Sequence, residues 1–302
     1  MTNDPFTTPI KSPLRYPGGK GCFFSYFLEA IKLNDLRGGK YFEPFAGGAA
    51  VGLGLLSVNI VTEIFINDAD YHIYSFWFSV LNENNRFVET ILCSEISINA
   101  WTKQKEIYNA PEKYSVFEVG FSAFYLNRCN RSGILAGAGP IGGYHQTGKW
   151  RMDARFNQLD LASRIRNIGK LKDAIHIGNM DAIDFLKRYL PRGKGRDKSF
   201  VYADPPYVSA GHRLYLSQYS SGDHKRLALY LLKQTRLNWL ATYDDTPLIR
   251  RLYSPCQRWL FTLGYSLQSK QRGNELLLAP ERLHLPEKDK CTGNRWNIVE
   301  RL

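Results

Sequence analysis

The chain has 302 residues, 44% of them hydrophobic, which suits one large domain or a domain carrying an insertion. It has no run of about 18 apolar residues, and its N-terminus, MTNDPFTTPIKSP, lacks an apolar core, so we expect neither a membrane span nor a signal peptide. The net charge of +12 predicts a polyanionic partner, and an aromatic content of 14% favours nucleic acid over an acidic membrane surface, because bases stack on rings.

The cysteines and histidines form no metal-binding pattern. The five cysteines are far apart and never occur as CxxC, and the six histidines show no ligand spacing. Scattered thiols without a secretion signal fit a reducing compartment and argue against a disulfide framework or a zinc site. We therefore expect a cytoplasmic protein with no metal.

The first third of the chain predicts two successive βα units. A glycine-rich turn and an apolar helix occupy residues 12–31, and a strand, a turn at Phe45–Gly48 and a second helix occupy 40–56. An apolar strand over 61–70 ends in acids. Polar residues at the ends of successive strands indicate a parallel, doubly wound sheet of the Rossmann-like type.

The pattern changes between about residues 75 and 170. Helices are predicted over 77–92 and 111–129, followed at 130–157 by a glycine-rich stretch with basic and aromatic residues. This composition is too irregular for a buried layer, so it predicts loops or a hairpin that project from a mainly helical insertion.

The sheet is predicted to resume after the insertion. Residues 174–190 give a strand, an acid and a helix; 191–198 form a basic linker; and a strand covers 199–204. A helix over 220–235, a strand over 238–245 and a hairpin over 265–280 follow. The polar tail from residue 281 is predicted to be loosely held.

Three strand ends carry candidate ligand-binding groups. The turn FEPFAGGAAVG lets backbone approach a ligand at a helix N-terminus, although a close-packed turn without a ligand explains it as well. Asp68 and Asp70 end the next strand; Asp68 directly follows its apolar run and is the candidate for ribose hydroxyls, with a solvated acid as the alternative. Asp181 could accept a hydrogen bond from a purine amine. With no phosphate loop and no metal motif, these acids suit a neutral or cationic nucleoside ligand.

The segment YADPPYVS, residues 202–209, is the most informative stretch. Pro205 and Pro206 stop the preceding strand and force a rigid turn at its carboxyl end, where open α/β sheets bind ligands. Asp204 and a carbonyl of this turn accept hydrogen bonds and can hold both hydrogens of an aromatic NH2 group, which frees the nitrogen lone pair. Tyr207 can stack on the same ring.

Seven motifs stand in order along residues 12–280: PLRYPGGK, FEPFAGGAAV, INDAD, FYLNR, NMDAIDF, DPPY and GNELLL. DPPY alone is a weak signal, because related tetrapeptides serve amino groups of RNA, glutamine and cytosine. The ordered set resembles the α-class, Dam-like DNA N6-adenine methyltransferases. The resemblance implies S-adenosylmethionine as methyl donor, with S-adenosylhomocysteine as product, and a flipped adenine held by Asp204, Pro205, Pro206 and Tyr207. It implies a cofactor site of Tyr16, Gly18, Gly19, Lys20, Glu43, Phe45, Gly47, Asp68, Asp181, Ala182 and Asp204.

The resemblance also implies a division of the chain. Residues 10–74 and 171–280 would form the catalytic domain, 75–170 the DNA target-recognition insertion and 281–302 the tail. After FYLNRCNRSG the chain has ILAGAGPIGGYHQTGKW where the GATC methylases have an FNVPFG-like run, so the target sequence is not carried over. The candidate contacts to phosphates and base edges are Asn127, Arg128, Arg131, Tyr144, Lys149, Arg151 and Arg155. The basic segment 188–198 is a weaker candidate for a phosphate patch.

The expected activity is site-specific methylation of adenine N6 in double-stranded DNA. Two alternatives stay open: a methyltransferase acting on an NH2 group of RNA, and a catalytically silent DNA-binding subunit. We expect a monomer on DNA, with a cognate restriction or phage-defence component as a possible partner and no membrane association.

Overall fold

A computed structural model gives the fold. It describes residues 6, 8–15, 20–209, 219–264, 272–287 and 296–302. Tyr16, Gly18 and Gly19, which are expected at the cofactor, lie outside the described residues, so their placement stays a prediction. No helix in the described part of the chain is long and apolar enough to cross a membrane.

The described strands form one sheet in the order β3-β2-β1-β4-β5-β7-β6-β8. The neighbours from β3 to β5 pair in parallel, and β7, β6 and β8 pair antiparallel. The strands are β1 (Gly39–Glu43), β2 (Val61–Asn67), β3 (Ile175–Gly178), β4 (Ser199–Ala203), β5 (Asn238–Asp244), β6 (Gln257–Gly264), β7 (Arg272–Ala279) and β8 (Trp296–Arg301). The predicted doubly wound, Rossmann-like sheet is confirmed.

The strand order reverses between β1 and β4. From β1 the chain moves outward through β2 and β3, and it then returns to the other side of β1 to lay down β4 and β5. In an open α/β sheet, the crevice at such a reversal is where ligands bind, beyond the carboxyl ends of the strands. Here those ends are Glu43 and the start of the DPPY segment.

Helices cover both faces of the sheet. They are α1 (Phe24–Leu33), α2 (Ala50–Ser57), α3 (Tyr71–Asn82), α4 (Asn84–Leu92), α5 (Ile98–Asn109), α6 (Val116–Cys129), α7 (Gln158–Gly169), α8 (Ala182–Tyr189), α9 (Lys194–Asp197), α10 (Ser221–Leu232) and α11 (Pro247–Leu252). Because side chains alternate along a strand, Tyr41 enters the core shared with α1, α2, α3 and α6, and Phe42 enters the core shared with α8, α10 and α11.

The insertion is helical, as expected, but it contains more helices than predicted. The helix predicted over 77–92 is two helices that meet at Glu83, and α5 and α7 were not predicted. Gly120 lets α6 cross α3 closely, since a Cβ there would lie 2.3 Å from the Ser75 carbonyl oxygen. The insertion shares one continuous core with the sheet, because Phe124 of α6 and Tyr41 of β1 belong to the same cluster.

The C-terminal part differs from the prediction in three places. The hairpin strands are β6 and β7, so the first strand ends where the predicted hairpin begins. Helix α11 was not predicted. The tail is not loose over its last residues, since β8 pairs with β6 and extends the sheet by one edge strand.

Candidate active site

The candidate site lies at the carboxyl ends of β1, β4 and β5, beside the antiparallel strand β7. In the sheet register, Ala203 of β4 pairs with Ala241 of β5, which brings Asp204 beside Thr242. Asp244 of β5 pairs with Glu275 of β7. The register therefore gathers acidic and hydroxyl side chains from three strands around the DPPY turn.

The Asp204 carboxylate is fixed through one oxygen. Its Oδ1 accepts a hydrogen bond from Thr242 Oγ1 at 2.5 Å and lies 3.4 Å from both the Tyr207 hydroxyl and the Lys20 ammonium. Thr242 Oγ1 is also 2.8 Å from the Tyr202 hydroxyl. Among the described residues, none hydrogen-bonds Oδ2, and the side chain keeps 26% of its surface exposed. Oδ2 is thus an acceptor that remains available on a partly exposed side chain.

The Tyr207 hydroxyl lies between a buried cation and a buried anion. Lys20 Nζ donates to it at 2.6 Å, and it donates to Glu275 Oε2 at 2.5 Å. Lys20 and Glu275 form an ion pair at 3.2 Å, with 7% and 1% of their residue surfaces exposed. Burial and the charges of Asp204 and Glu275 raise the pKa of Tyr207 well above its ordinary value, so the hydroxyl stays neutral and can donate.

The chain after DPPY is held by Asp244. Its Oδ1 accepts from the Val208 N–H at 3.0 Å, and its Oδ2 accepts from the Ser209 N–H at 2.7 Å and the Ser209 hydroxyl at 2.5 Å. Pro205 and Pro206, which lie between Asp204 and this anchored backbone, are buried. Two prolines fix φ and Asp244 fixes the following backbone, so the DPPY turn has little freedom to move.

The second glycine-rich turn is built around Asp68. Gly47 and Ala49 both have φ of 45°, and the turn leads directly into α2. Asp68 Oδ2 accepts from the Gly47 N–H at 2.9 Å, and Oδ1 accepts from the Asp70 N–H at 3.0 Å. Burial and then the Asp70 charge raise the pKa of Asp68 to about 7. Phe45 packs edge-to-face on Tyr219 at 5.5 Å.

Glu43 carries an acceptor without a partner. Its Oε1 accepts from the Tyr41 hydroxyl at 2.8 Å, whereas its buried Oε2 has no hydrogen-bond partner among the described residues. Burial raises the pKa of this carboxyl to about 8, and the Tyr41 hydrogen bond opposes the shift, as does the nearby Gly52 N–H, whose geometry is too poor for a full hydrogen bond to Oε2. A buried carboxylate oxygen without a donor is costly, so the arrangement suits a donor supplied by a ligand.

Asp181 has a structural role that its position in sequence did not reveal. It caps α8 by accepting from the Ile183 and Asp184 N–H groups, and its Oδ2 pairs with Arg226 at 3.0 Å. Ala182 is the buried first residue of that helix. A carboxylate has about four lone-pair sites, so Asp181 keeps capacity for one more donor.

Asn127 and Arg128 require correction as candidate DNA contacts. Asn127 is 1% exposed and holds the backbone of Arg15 and Gly133. Arg128 is 9% exposed and donates to the Arg155 and Pro13 carbonyls. Their polar groups are used inside the protein, because α6 faces the segment before Lys20. In this structure they brace the insertion and do not face a duplex.

The other candidate DNA contacts are exposed on the loops after α6. They are Arg131, Tyr144, Lys149, Arg151 and Arg155. Trp150 was not predicted, yet it is 65% exposed between two of these cations. Gln146 braces the loop, since its amide bonds the backbone of Ile141, Gly143 and Met152. The exposed rings and cations therefore stand on an ordered backbone.

The basic segment 188–198 lies at the amino ends of the parallel strands, opposite the candidate site. It precedes β4, whereas Asp204 follows β4, and five residues of strand separate the two ends by about 16 Å. Two of its charged residues are also paired: Asp197 with Arg236, and Lys198 with Asp35. This placement is wrong for a phosphate patch beside the reacting base.

Sequence reasoning missed Thr242, Asp244 and Glu275 as parts of the site. Asp244 ends a strand as Asp68 does, so the same rule would have selected it. Glu275 lies in the quoted motif GNELLL, where a single acid in an apolar strand was the available signal. Within the described residues, no group of three or more His, Cys, Asp or Glu side chains could hold a metal ion.

Comparison with known proteins agrees with this geometry. The type II methyltransferase M.MjaIII of Methanocaldococcus jannaschii is 26% identical over 230 residues, which cover 71% of this chain and 75% of that protein. The family described as D12 class N6 adenine-specific DNA methyltransferase matches residues 16–261. Because this match spans most of the chain and includes the DPPY turn, the protein belongs to the D12 class N6 adenine-specific DNA methyltransferase family.

Proposed function

We propose that this protein is a site-specific DNA-methyltransferase (adenine-specific) that uses S-adenosylmethionine and acts on an adenine flipped out of duplex DNA. The observation that carries the proposal is the Asp204 carboxylate, fixed through Oδ1 and open at Oδ2, at the point where the strand order reverses. A preorganised acceptor aimed at a reacting amine is the arrangement that electrostatic catalysis needs.

The residues of the DPPY turn would act on the adenine amino group. Asp204 Oδ2 would accept one N6 hydrogen and a carbonyl of the turn the other, which localises the nitrogen lone pair. Tyr207 would stack on the purine ring while the prolines keep the acceptors still. Asp204 would also receive the proton that N6 loses once it is methylated.

The residues around the glycine turn fit the methyl donor. The unpartnered Glu43 Oε2 offers an acceptor for an ammonium group, and Asp68 retains lone pairs for ribose hydroxyls beside the Gly47 turn. When bound, S-adenosylmethionine supplies a methyl group activated by a sulfonium. We assign the rest of its site to Tyr16, Gly18, Gly19, Lys20, Phe45, Asp181, Ala182 and Asp204, with S-adenosylhomocysteine as the product.

The loops after α6 would bind the DNA. Arg131, Lys149, Arg151 and Arg155 are exposed cations for phosphates or guanine edges, and Tyr144 and Trp150 are exposed rings that can stack on bases. Extruding the adenine costs a few kcal/mol, which these contacts would offset.

The setting of the enzyme is also a proposal. The name of M.MjaIII as a type II methyltransferase favours a cognate restriction component, with a phage-defence component as the alternative. We propose a monomer on DNA, and a cytoplasmic location because cysteines 22, 93, 129 and 256 are free thiols.

Transfer of an isotope-labelled methyl group to unmethylated duplex DNA and to an RNA of the same sequence tests the proposal. After digestion to nucleosides, mass spectrometry should find label only in N6-methyldeoxyadenosine. Label in RNA would favour the RNA alternative. Cofactor binding without transfer to either polymer would favour a silent DNA-binding subunit, and Asp204→Ala serves as the inactive control.

A further inference from the structure

We infer that Glu275 is a positioning residue for the methyl-transfer reaction: with Lys20 it fixes the Tyr207 ring against the flipped base and keeps Asp204 available to the amine. The inference rests on the proposed function and adds to it a residue from a strand far from DPPY in sequence. Its basis is the set of mutual contacts among Lys20, Tyr207 and Glu275, each within 3.2 Å of the other two.

Glu275 completes a clamp on Tyr207. The backbone after the tyrosine is held by Asp244, and its hydroxyl, at the far end of the ring, is held by Glu275. Asp244 and Glu275 are directly paired across β5 and β7, so one rung of the sheet holds both ends of the residue. A ring anchored at both ends cannot swing away from a stacked base without breaking buried hydrogen bonds.

Lys20 links this clamp to the reacting carboxylate. Its ammonium lies 3.2 Å from Glu275 Oε2 and 3.4 Å from Asp204 Oδ1. Because Lys20 pairs with Glu275 as well as with Asp204, it contacts the Asp204 carboxylate at Oδ1. Without the Glu275 charge, Lys20 would turn fully to Asp204 and compete with the substrate amine for its carboxylate.

The test is a double-mutant cycle on turnover with Glu275→Gln, Tyr207→Phe and the double variant. Both single changes keep side-chain shape and remove one charge or one hydroxyl. We expect each to lower turnover at saturating DNA and cofactor by about 10–100-fold, the effect of losing one hydrogen bond to a charged group. The double variant should fall no more than about threefold below the worse single variant, because both changes break the same contact.

Controls separate positioning from folding and from cofactor binding. Glu281→Gln removes an exposed acid paired with Arg301 and should keep wild-type turnover. The dissociation constant for S-adenosylhomocysteine should stay within about threefold of wild type in both single variants, as a residue acting on the base requires. If Glu275→Gln fails to fold, Tyr207→Phe, which leaves the Lys20 and Glu275 pair intact, carries the test alone.

Three results would overturn the inference: wild-type turnover in Glu275→Gln, wild-type turnover in Tyr207→Phe, or single losses that multiply in the double variant. Each is distinct from failure of the proposed function, in which the wild-type chain itself would methylate no DNA.

Discussion

The candidate active site and the loops after α6 are constructed in opposite ways. At the site, side chains from β4, β5 and β7 and from the segment before α1 bond one another in a largely buried network, as the buried Lys20, Glu275 and Asp244 show, and Asp204 keeps 26% of its side chain exposed. In the loops, the backbone at Gly133 and Arg155 is held by the buried Asn127 and Arg128 of α6, while the exposed candidate DNA contacts make no ion pair within the described residues.

This difference separates two requirements of a sequence-specific enzyme. Catalysis needs hydrogen-bond donors and acceptors held within tenths of an ångström, and a buried hydrogen-bond network holds them in this way. Recognition needs exposed cations and rings that can be exchanged without disturbing the fold. Substitutions at the candidate site should therefore lower turnover, whereas substitutions of the exposed loop residues should lower the affinity for DNA.

The largest effect is expected for Asp204→Ala. It removes the acceptor proposed to contact the reacting amine, so turnover should fall by about 10²–10³-fold or more. Binding of DNA should be nearly unchanged, and cofactor binding should weaken much less than turnover, because Asp204 is one of many residues assigned to the cofactor site. Single-turnover methyl transfer at saturating substrate measures this, and turnover near the wild-type value would reject the assigned chemistry.

Glu43→Gln should have opposite effects on stability and on cofactor binding. Burial raises the pKa of this carboxyl from its ordinary 4.5 to about 8. Between those values the unfolded chain has released a proton that the folded chain keeps, so the wild-type free energy of unfolding falls as pH rises through this range. The free energy of unfolding of the variant should not fall with pH in this way. At pH 7.5 it should exceed the wild-type value by on the order of 1 kcal/mol or more.

The same variant should bind S-adenosylmethionine about 10–100-fold more weakly at pH 7, because a bound ammonium group would favour the ionised form of Glu43 in the wild type, whereas a glutamine amide cannot ionise. Urea unfolding across pH 5–8 and calorimetric titration measure the two effects. An unchanged dissociation constant would remove Glu43 from the cofactor site.

Arg128→Met should affect folding and not recognition. Its guanidinium donates to two backbone carbonyls from a buried position, and burial lowers its pKa to about 10. We expect a loss of about 1–3 kcal/mol in the free energy of unfolding with an unchanged salt dependence of DNA binding. The exposed Arg151→Met is the matched control, expected to change stability by no more than about 0.5 kcal/mol.

Arg131→Ala and Lys149→Ala should weaken DNA binding and leave cofactor binding unchanged. A phosphate contact should reduce the salt slope by about one unit for all sequences alike. A base contact should cost about 1–3 kcal/mol and relax the preference at one position. Methylation of a randomised duplex pool at two salt concentrations distinguishes these outcomes. If neither the methylated DNA sequence nor the salt dependence of DNA binding changed, the loops would not be the recognition surface.

The smallest effect is expected for Lys194→Ala in the basic segment 188–198. Because this segment lies at the amino ends of the parallel strands, the salt slope should match wild type within error. A slope reduced by one unit would show that DNA reaches this edge of the sheet.

The doubly wound core could be predicted because its strands are apolar runs that end in polar residues. The signal for α7 was also present, since Leu161, Ile165 and Ile168 have helical spacing, but it lay among charged residues. Strand β8 had no comparable local signal: its described side chains, Val299 to Arg301, are exposed at the edge of the sheet.

The site could be predicted where a motif is continuous and not where it depends on register. Asp204 and Tyr207 lie in one tetrapeptide, whereas the contact of Tyr207 with Glu275 depends on β7 pairing beside β5. Asn127 and Arg128 were predicted to contact DNA. Only the packing of α6 against residues 13–15 shows that they are buried.

Turnover measured as a function of DNA concentration, for one conservative variant from each region, tests the separation of the two regions most directly. Thr242→Val removes the 2.5 Å hydrogen bond to Asp204, and Arg131→Ala removes an exposed cation. We predict that Arg131→Ala needs more DNA but reaches the wild-type plateau, while Thr242→Val stays about tenfold below it at every concentration. A common plateau for both variants, or a plateau lowered by Arg131→Ala alone, would contradict the division between a buried site for chemistry and an exposed surface for recognition.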